Sequence, residues 1–472
     1  MKRSSAVGWL AVGCTALTVL AACSQGSATA GSNSSSSSSS TESGSTAASS
    51  ADASTADAGT TAGSTAGGSG SPSTAASSSA PSSSSSAPAG NTTITYMDFS
   101  ASGGHEKDLQ KIVDGFQKEN PGITVKVQNV AYADYFTKLQ TAVAGGTAAD
   151  AFELDYQNFI SYADNGALAE LSGVDRSVYR TSLYDAFTMD GKQFGLPESF
   201  SDVVLFYNKT LFAKAGVPLP TSSWTWADEK AAAQKLTDKS AKVWGDYQPI
   251  TYNEFYKALA QSGGQFFNAD KSEATFSSQQ GTEAADWLIG KSGTVMPTVA
   301  EGAGTPDFDT NLFKSGKLAM WHTGIWMFSA MADAPFDWDV VVEPGNTTKA
   351  SAMFANTVAV SASSKNQAAA QKWLQYLTAS DTAVSTRLAA SWELPPIADD
   401  AKLATYLKAG KPANRKAVFD ALEKTVLAPV ITNQQEMQDD VNDALTAAAA
   451  GRTPVDKALS DAQSKVTALL GG

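Results

Sequence analysis

The chain has 472 residues and a formal net charge of −13 at pH 7. That length allows more than one domain, and that charge argues against nucleic acid or anionic lipid as the main partner. Both cysteines, Cys14 and Cys23, lie near the start, so the rest of the chain has no disulfide framework and no thiolate metal site. Only two histidines occur, so we also expect no His-rich metal site and no cofactor.

The first 22 residues have the pattern of an export signal. Lys2 and Arg3 form a charged start, and the mainly apolar run 6–22 has the length of a signal-peptide core. The run leads into residues 20–23, LAAC, which resemble the bacterial lipobox. The resemblance implies cleavage before Cys23 and a lipid on its thiol; stable anchoring needs two or more acyl chains. A simple secretory signal with a chance cysteine is the alternative.

Residues 24–90 consist almost entirely of Ser, Ala, Thr and Gly and contain no aromatic residue. Such a segment cannot bury enough apolar area to offset its conformational entropy, so we expect it to stay disordered. As a flexible coil it would span on the order of 45 Å. We therefore predict a signal peptide over 1–22 and a lipidated cysteine plus linker over 23–90. The composition leaves open whether the linker is O-glycosylated.

Globular sequence begins at Asn91 with alternating strands and helices. Strands are predicted over 93–97, 123–127 and 151–154, with helices over 105–119 and 132–144 between them. This order implies a mainly parallel sheet with helices on both faces. Ligands of such sheets bind beyond the carboxyl ends of the strands. The polar residues at those ends are Ser100, Ser102, Glu106, Asp155, Tyr156 and Asn158.

A buried strand then delivers the chain into a new helical region. Residues 203–207, VVLFY, predict a fully buried strand. Asn208 can cap a short helix that Gly216 ends, which is the pattern of a crossover between two lobes. The string 205–216, LFYNKTLFAKAG, resembles the hallmark of the extracellular solute-binding proteins of ABC importers, the maltose-binding-protein-like group. An ordinary strand-turn-helix of another α/β enzyme is the alternative.

Further elements follow in the same order as in that family. Helices are predicted over 226–236, from Tyr252 to Gly263, and over 278–289, with a strand over 318–321. Residues 309–326 resemble a second family motif, which implies that Trp326 forms a sugar-stacking platform. The alternative places Trp326 in the core, where we expect Trp321.

The last third is expected to return to the first lobe and then to end in helices. Strands are predicted over 337–342 and 356–361, followed by a helix over 366–377. Residues 391–396 resemble the family's proline-containing loop at the cleft. Helices around 414–427 and 436–449 are expected to pack on the second lobe.

The resemblance covers residues 91–472 and implies a two-lobed periplasmic-binding-protein-like α/β fold. Each lobe would hold a mainly parallel sheet flanked by helices, with the ligand cleft between the lobes. We predict lobe I over 91–200 and again over 346–395, and lobe II over 201–345. The C-terminal helices, 396–472, are expected mainly on lobe II.

Residue types favour a carbohydrate ligand. Sugars present apolar C–H faces, which aromatic rings cover, and hydroxyl groups, which carboxylate and amide side chains bind. Such side chains occur at predicted strand ends and inter-lobe loops. The predicted substrate-binding residues are Ser102, Glu106, Asp155, Tyr156, Glu198, Tyr252, Asn253, Trp326, Asn356, Trp392 and Glu393, with Phe200 as a further aromatic candidate. No catalytic residue is predicted.

The resemblance implies a monomeric binding protein held by its lipid on the outer face of the cytoplasmic membrane of a Gram-positive cell. A ligand that contacts both lobes would favour hinge closure. ABC permease subunits with a separate ATPase would then receive it, and this chain has no GxxxxGK[ST] phosphate loop. Three alternatives from other classes remain open: a polyamine or peptide binder using Asp155, Glu198 and Glu393, a secreted glycoside hydrolase, and a structural cell-wall protein.

Overall fold

The structure is a computed structural model that describes residues 91–390 and 392–471. The predicted signal peptide, Cys23 and the linker lie outside the described residues. No helix within the described ranges is both long and apolar enough to cross a membrane.

Strands and helices alternate through the first half of the described chain, and helices dominate its end. The described strands are β1 (Thr92–Asp98), β2 (Ile123–Asn129), β3 (Ala151–Asp155), β4 (Thr188–Met189), β5 (Lys192–Gln193), β6 (Gly195–Asn208), β7 (Met320–Gly324), β8 (Trp338–Val341), β9 (Ser351–Val360) and β10 (Thr425–Val426). The described α-helices are α1 (Glu106–Glu119), α2 (Tyr132–Ala144), α3 (Tyr156–Asp164), α4 (Thr181–Asp185), α5 (Lys209–Ala215), α6 (Trp226–Leu236), α7 (Tyr252–Gln261), α8 (Gln279–Ile289), α9 (Phe308–Lys314), α10 (Phe328–Met331), α11 (Gln367–Ala379), α12 (Asp381–Ala390), α13 (Ala404–Leu407), α14 (Lys416–Ala421), α15 (Gln434–Ala449) and α16 (Val455–Leu470).

Capping residues fix the crossover helix α5 where the sequence predicts it. The side chain of Asn208 accepts a hydrogen bond from the Leu211 amide at 3.1 Å. Gly216 ends the helix with a φ of 64°, a left-handed conformation that glycine adopts at little cost. The next helix, α6, begins after Thr225, whose side chain forms a capping box with Asp228. Both starts are therefore local properties of the sequence.

The end of the chain differs from its prediction. The helix expected over 414–427 is only the short α14, because the chain then forms β10, which pairs with Ser351 and Ala352 of β9. Neither α12 nor α16 is among the predicted helices. Helices α15 and α16 pack against α7 and α8, and Val441, Leu459 and Phe255 share one core.

Eight strands form one sheet, in which β2-β1-β3-β9-β6-β7 lie in that order, β8 also pairs with β6, and β10 with β9. β1 pairs in parallel with β2 and β3, as the βαβ pattern predicts. The pairs β3–β9, β9–β6, β6–β7 and β6–β8 are antiparallel. The sheet is therefore mixed, which corrects the expectation of mainly parallel sheets. The reason is that β6 and β9 run side by side in opposite directions, and a buried apolar run does not reveal the direction of its partner.

On its front face, β9 passes from one hydrophobic core to another. Val358 and Val360 pack in the core that contains α1 and α11, which belongs to lobe I. Ala352 packs in the core that contains α7 and α8, which belongs to lobe II. Between them, Phe354 and Asn356 point to the same face of the strand and are only half-buried. The front face is therefore interrupted between the two lobes.

Strand β6 shows the same interruption. Leu196 lies in the lobe I core and Val203 in the lobe II core. Between them the register shifts at a bulge after Pro197, and Ser201 is the one half-buried residue of an otherwise buried strand. On both strands the two cores are thus separated by partly exposed residues.

The back face of the same two strands is continuous. Its side chains, from both halves of the strands, pack in a single core: Phe200, Val204 and Phe206 of β6 with Met353, Ala355 and Ala359 of β9. The lobes therefore share one core behind the sheet and have separate cores in front of it. This arrangement confirms the predicted two-lobed α/β fold. The domain boundaries at residues 200 and 345 stay predictions.

Candidate ligand site

The interruption of the front face leaves a partly exposed surface between the two lobes, here called the floor. Ser201 of β6 lies opposite Phe354 of β9, and Asp155 of β3 lies opposite Asn356. Directly opposed residues of antiparallel strands point to the same face of a sheet, so these four side chains share one surface. Phe354 and Asn356 are two positions apart, or about 7 Å along the strand. The floor offers a hydroxyl, a carboxylate, an amide and an aromatic ring.

Tyr132 stands on the lobe I side of this floor. It begins α2, and 53% of its surface is exposed. Its hydroxyl donates to Asp155 Oδ2 at 3.2 Å, and its ring packs edge-on against Phe99 and Phe136 with centroids 5.2 and 5.5 Å away. These contacts hold an exposed aromatic ring next to a carboxylate. Tyr132 is not among the predicted site residues; its position at the first turn of a helix that follows a strand end could have indicated it.

Trp326 stands on the lobe II side of the floor. It is 54% exposed, and its ring meets Phe354 edge-on with centroids 5.6 Å apart. The turn after β7 brings it there, and only glycine fits at position 324. A Cβ added at Gly324 would lie only 1.8 Å from the Trp326 ring. By contrast, Trp321 is 1% exposed, as expected for a core residue.

Trp392 and the loop after β1 form the lobe I rim. The half-buried Trp392 ring stacks on His105 with centroids 5.1 Å apart, and its Nε1 donates to the Ser100 carbonyl oxygen at 3.1 Å. The guanidinium of Arg387 lies 4.2 Å from the same ring. His105 and Arg387 therefore contact the ring of Trp392, and its hydrogen bond to Ser100 links the loop after β1 to the C-terminal segment.

Glu106 stabilises the same loop. Its exposed carboxylate accepts hydrogen bonds from the amides of Gly103 and Gly104 at 2.8 and 3.1 Å. Those hydrogen bonds lower the pKa of Glu106. Ser102 lies half-buried in this loop. The predicted residues Ser102 and Glu106 are thus close in the structure to Trp392, which follows them by about three quarters of the length of the folded chain.

Behind this loop lies a group of three buried carboxylates, here called the carboxylate cluster: Asp98, Glu153 and Glu198. All three residues are fully buried, and one oxygen from each lies within 4.8 Å of the others. Burial and the charge of Glu198 raise the pKa of Asp98 to about 7. The same two causes raise the pKa of Glu153 well above its usual value. The carboxylate cluster therefore has a strong tendency to take up a positive charge or a proton.

Glu198 and Glu393 flank a single buried arginine. Arg387 donates through Nη2 to Glu198 Oε1, and its Nη1 lies 3.7 Å from Glu393 Oε2. Glu198 was predicted to contact ligand, but the structure buries it completely beneath the loop. Glu393 keeps 30% of its side chain exposed, which leaves it at the rim.

Two of the remaining candidates, Tyr252 and Phe200, are buried in hydrophobic cores. Tyr252 is 2% exposed, its hydroxyl donates to the Pro429 carbonyl oxygen at 2.9 Å, and its ring lies in the lobe II core. It offers no free face to a ligand, because the buried side of α7 carries it. Phe200 is likewise buried in the back core, against which the half-buried Tyr156 packs. Asn253 is half-buried on the first turn of α7.

Lobe II contains its own buried charges, here called the lobe II network: Glu229, Asp246, Glu254, Lys257, Lys291, His322 and Glu343. Lys291 Nζ lies 2.6 Å from both Glu229 Oε1 and Asp246 Oδ2. Lys257 Nζ lies 2.7 Å from both Glu254 and Glu343. No residue of this network was predicted.

Histidine supplies the third cation of the lobe II network. His322 lies 2.8 Å from Glu343 and 3.1 Å from Glu229. Burial alone would lower the pKa of His322, but the charges of Glu343 and Glu229 outweigh it and hold that pKa well above its usual value. Burial acts against ionised Glu343 too, yet His322 and Lys257 lower its pKa to about 2. The network therefore places three cations, Lys257, Lys291 and His322, among four carboxylates.

Comparisons with known proteins agree with this geometry. Residues 102–384 match the family described as bacterial extracellular solute-binding protein. An ABC substrate-binding protein from Listeria monocytogenes, solved in complex with cycloalternan, is 45% identical with a TM-score of 0.67, over 81% of this chain and 99% of that one.

Two further proteins are similar over most of the chain. The cyclic alpha-maltosyl-1,6-maltose binding protein from Arthrobacter globiformis is 25% identical with a TM-score of 0.69, over 81% of this chain and all of that one (100%). The galactooligosaccharide-binding protein from Bacillus subtilis is 24% identical, over 80% of this chain and 89% of that protein.

Proposed function

Because the chain belongs to the bacterial extracellular solute-binding protein family, we propose that it captures a carbohydrate in the cleft and delivers it to the membrane subunits of an ABC importer. The observation that carries this proposal is the pair of exposed aromatic rings beside a polar floor. Among the described residues, the exposed large apolar side chains are Tyr132, Leu219, Val299 and Trp326. Two of these four, Tyr132 and Trp326, flank the floor.

The chemistry of the floor suits a sugar. Aromatic faces cover the apolar C–H surface of a pyranose ring, and both Tyr132 and Trp326 are held in place by edge contacts with other rings. Asp155, Asn356 and Ser201 supply acceptors and donors for sugar hydroxyls, and a carboxylate acceptor makes the stronger hydrogen bonds. We infer that these five residues form the main contacts, with Ser102, Glu106, Trp392 and Glu393 at the rim.

The position of the floor supports hinge closure. The floor lies on β6 and β9, the two strands that pass between the lobes, while Tyr132 and Trp326 stand on opposite sides of it. A ligand that contacts both sides binds the closed form more tightly than the open form and shifts the population toward closure. In this proposal the protein binds and releases its ligand unchanged.

We propose an oligosaccharide as the ligand, with cycloalternan as the first compound to test. The support is the similarity to the Listeria protein solved with cycloalternan and to the Arthrobacter protein named for another cyclic saccharide. We also propose, from the N-terminal pattern, that the protein is anchored outside the membrane through Cys23 and, from the family resemblance, that it is a monomer. These proposals stand on the sequence and on the relatives.

Calorimetric titration of the purified full-length chain tests the ligand. We expect saturable binding of cycloalternan, and we expect Trp326→Ala to lose about 2 kcal/mol of binding free energy, or roughly thirtyfold in Kd. Leu219→Ala is the matched control, because it also removes an exposed apolar side chain. Leu219 lies between α5 and α6, outside the strands that form the floor. Its affinity should equal that of the unaltered chain.

Other outcomes contradict parts of the proposal. Binding of a polyamine but of no carbohydrate would keep the fold and overturn the ligand class. Release of shorter saccharides during the titration would show hydrolysis and overturn the binding role. An unchanged Kd in Trp326→Ala would remove Trp326 from the site.

A further inference from the structure

Hydrogen-bond donors satisfy only part of the carboxylate cluster. The amides of Phe99 and Ser100 donate to Glu153 Oε2 at 3.1 and 3.0 Å, and Arg387 donates to Glu198 Oε1. Among the described residues, Glu153 Oε1 and Glu198 Oε2 have no hydrogen-bond partner. An ionised oxygen that is buried without a partner costs free energy. Glu229 and Asp246 of lobe II have such oxygens too, so these atoms indicate a cation site only where no cation of the protein lies close by.

A third buried polar atom faces the same place. The hydroxyl of Tyr96 is fully buried and has no hydrogen-bond partner among the described residues. Tyr96 lies two positions before Asp98 on β1, so both side chains point to the same face of the sheet. The charges of Glu198, Asp98 and Glu153 add to burial in raising the pKa of Tyr96. Tyr96 belongs to the middle of β1 and not to the acidic group, so it is independent evidence for a polar site at this position.

The charges of the site do not balance. Four carboxylates, those of the carboxylate cluster and Glu393, face one cation, Arg387. The other titratable groups that face them are Tyr96, Tyr135 and His105, and none of these is a permanent cation. Arg387 contacts Glu198 and Glu393, which leaves Asp98 and Glu153 without an ion-pair partner among the described residues.

The lobe II network provides an internal reference. Glu229, Asp246 and His322 also place three ligand atoms within 4.8 Å of one another, as a metal site would. There the ammonium of Lys291 lies between the two carboxylates, 2.6 Å from an oxygen of each. Among the described residues there are two groups of this kind, and a lysine fills the one in lobe II. No described lysine or second arginine reaches the other group.

We propose that the carboxylate cluster binds a divalent metal cation, with one oxygen each from Asp98, Glu153 and Glu198 as protein ligands. An all-oxygen set without sulfur or imidazole suits Ca²⁺, Mg²⁺ or Mn²⁺. Three carboxylates exceed the one or two that usually hold Mg²⁺, which favours Ca²⁺. This site is separate from the carbohydrate floor and goes beyond the proposed function.

The position of the cation links it to the rim of the cleft. Glu153 lies two positions before Asp155 on β3 and so points to the same face as the floor. Its second oxygen accepts from the Ser100 amide, and the Ser100 carbonyl accepts from Trp392. A cation that fixes Glu153 would therefore also fix the loop and the tryptophan at the lobe I rim.

Calcium titration of the chelator-treated full-length chain tests the proposal. We expect saturable calorimetric binding and a rise in the thermal midpoint that saturates at the same Ca²⁺ concentration. Tb³⁺, a luminescent substitute for Ca²⁺, should show emission on tyrosine excitation, because Tyr96 and Tyr135 adjoin the site. All three signals should be lost in Glu153→Gln, which keeps the shape and can still accept from the loop amides.

A second variant and a control complete the design. Asp98→Asn should lose the same signals, which keeps the test decisive if Glu153→Gln folds poorly. Asp461→Asn removes an exposed carboxylate of α16, paired with Lys457, and should leave the titration unchanged. Circular dichroism of each variant establishes that it is folded.

Two results would overturn the cation site. The first is the absence of saturable binding of Ca²⁺, Mg²⁺ and Mn²⁺ by the unaltered chain, which would mean that protons alone neutralise the cluster. The second is full binding in both Glu153→Gln and Asp98→Asn. Cycloalternan titration of the same samples keeps the two proposals distinct, since each ligand can bind when the other does not.

Discussion

Among the described residues, two clusters of buried carboxylates stand out: one behind the lobe I rim of the cleft and one in the interior of lobe II. In the lobe II network, four carboxylates face Lys257, Lys291 and His322. In lobe I, the carboxylate cluster and Glu393 face Arg387 alone. The balanced group lies in the interior, and the unbalanced one adjoins the predicted ligand site. The difference indicates that the lobe II network stabilises the fold, whereas the carboxylate cluster can still bind a cation.

The largest expected effect is a loss of stability when a cation is removed from the lobe II network. Lys291→Met leaves Glu229 and Asp246 buried without their ammonium partner, so we expect a loss of about 3–5 kcal/mol in the free energy of unfolding. Urea denaturation measures it. Lys457→Met is the matched control, because Lys457 pairs with Asp461 on an exposed helix surface, and such pairs contribute about 0–1 kcal/mol. Equal losses in the two variants would contradict the role assigned to the network.

A second effect concerns acid stability. The pKa of Glu343 is lowered from 4.5 to about 2, so its contribution to stability is present above pH 4.5 and is lost as the pH falls toward 2. Glu343→Gln removes charge-assisted hydrogen bonds and should cost about 1.5–3 kcal/mol at neutral pH. The difference from the unaltered chain should shrink on acidification. A difference that stays constant from neutral to acid pH would refute this.

The stability contributed by the carboxylate cluster should depend on pH in the opposite direction. The pKa of Asp98 is raised from 3.8 to about 7, so the stability it contributes is present below pH 3.8 and is lost as the pH rises through 7. Asp98→Asn cannot ionise, so without metal it should exceed the unaltered chain by at least about 1 kcal/mol above pH 7. Near pH 4 the two should be equal. Chelator-treated samples across this pH range give the measurement, and a destabilised variant above pH 7 would contradict it.

The smallest effect separates ligand binding from stability. Tyr132→Phe removes the hydroxyl that donates to Asp155, so we expect a loss of about 0.5–1.5 kcal/mol in carbohydrate binding and little change in unfolding. Tyr179→Phe is the matched control, since its buried hydroxyl bonds Thr378 at 2.7 Å inside the lobe I core. It should lower stability and leave the affinity unchanged. The reverse pattern would place Tyr132 outside the site.

Local patterns gave the elements that carry the site. The periodicity of apolar residues and the capping side chains predicted α2 and α6 at their observed bounds and the buried run of β6. The hallmark around Asn208 predicted a crossover, and the structure has one there. The floor and the two rings beside it were only partly predicted. Asp155, Trp326 and Asn356 were named, while Ser201, Phe354 and Tyr132 were not. The sequence around each missed residue shows only a strand or a helix. Its place in the site depends on a contact with a distant segment, which the sequence does not reveal.

The sequence by itself determined seven of the ten described strands, at least in part, nine of the sixteen described α-helices, the crossover and the family. The reason is that caps, turns and hydrophobic period act over a few residues. The tertiary structure alone decided that Tyr252 is core, that β6 and β9 are antiparallel, and that Arg387 meets Glu198 across 189 positions of sequence. The physical reason is that burial and charge balance depend on the groups that surround a side chain. Those groups come from distant segments, and only packing brings them together.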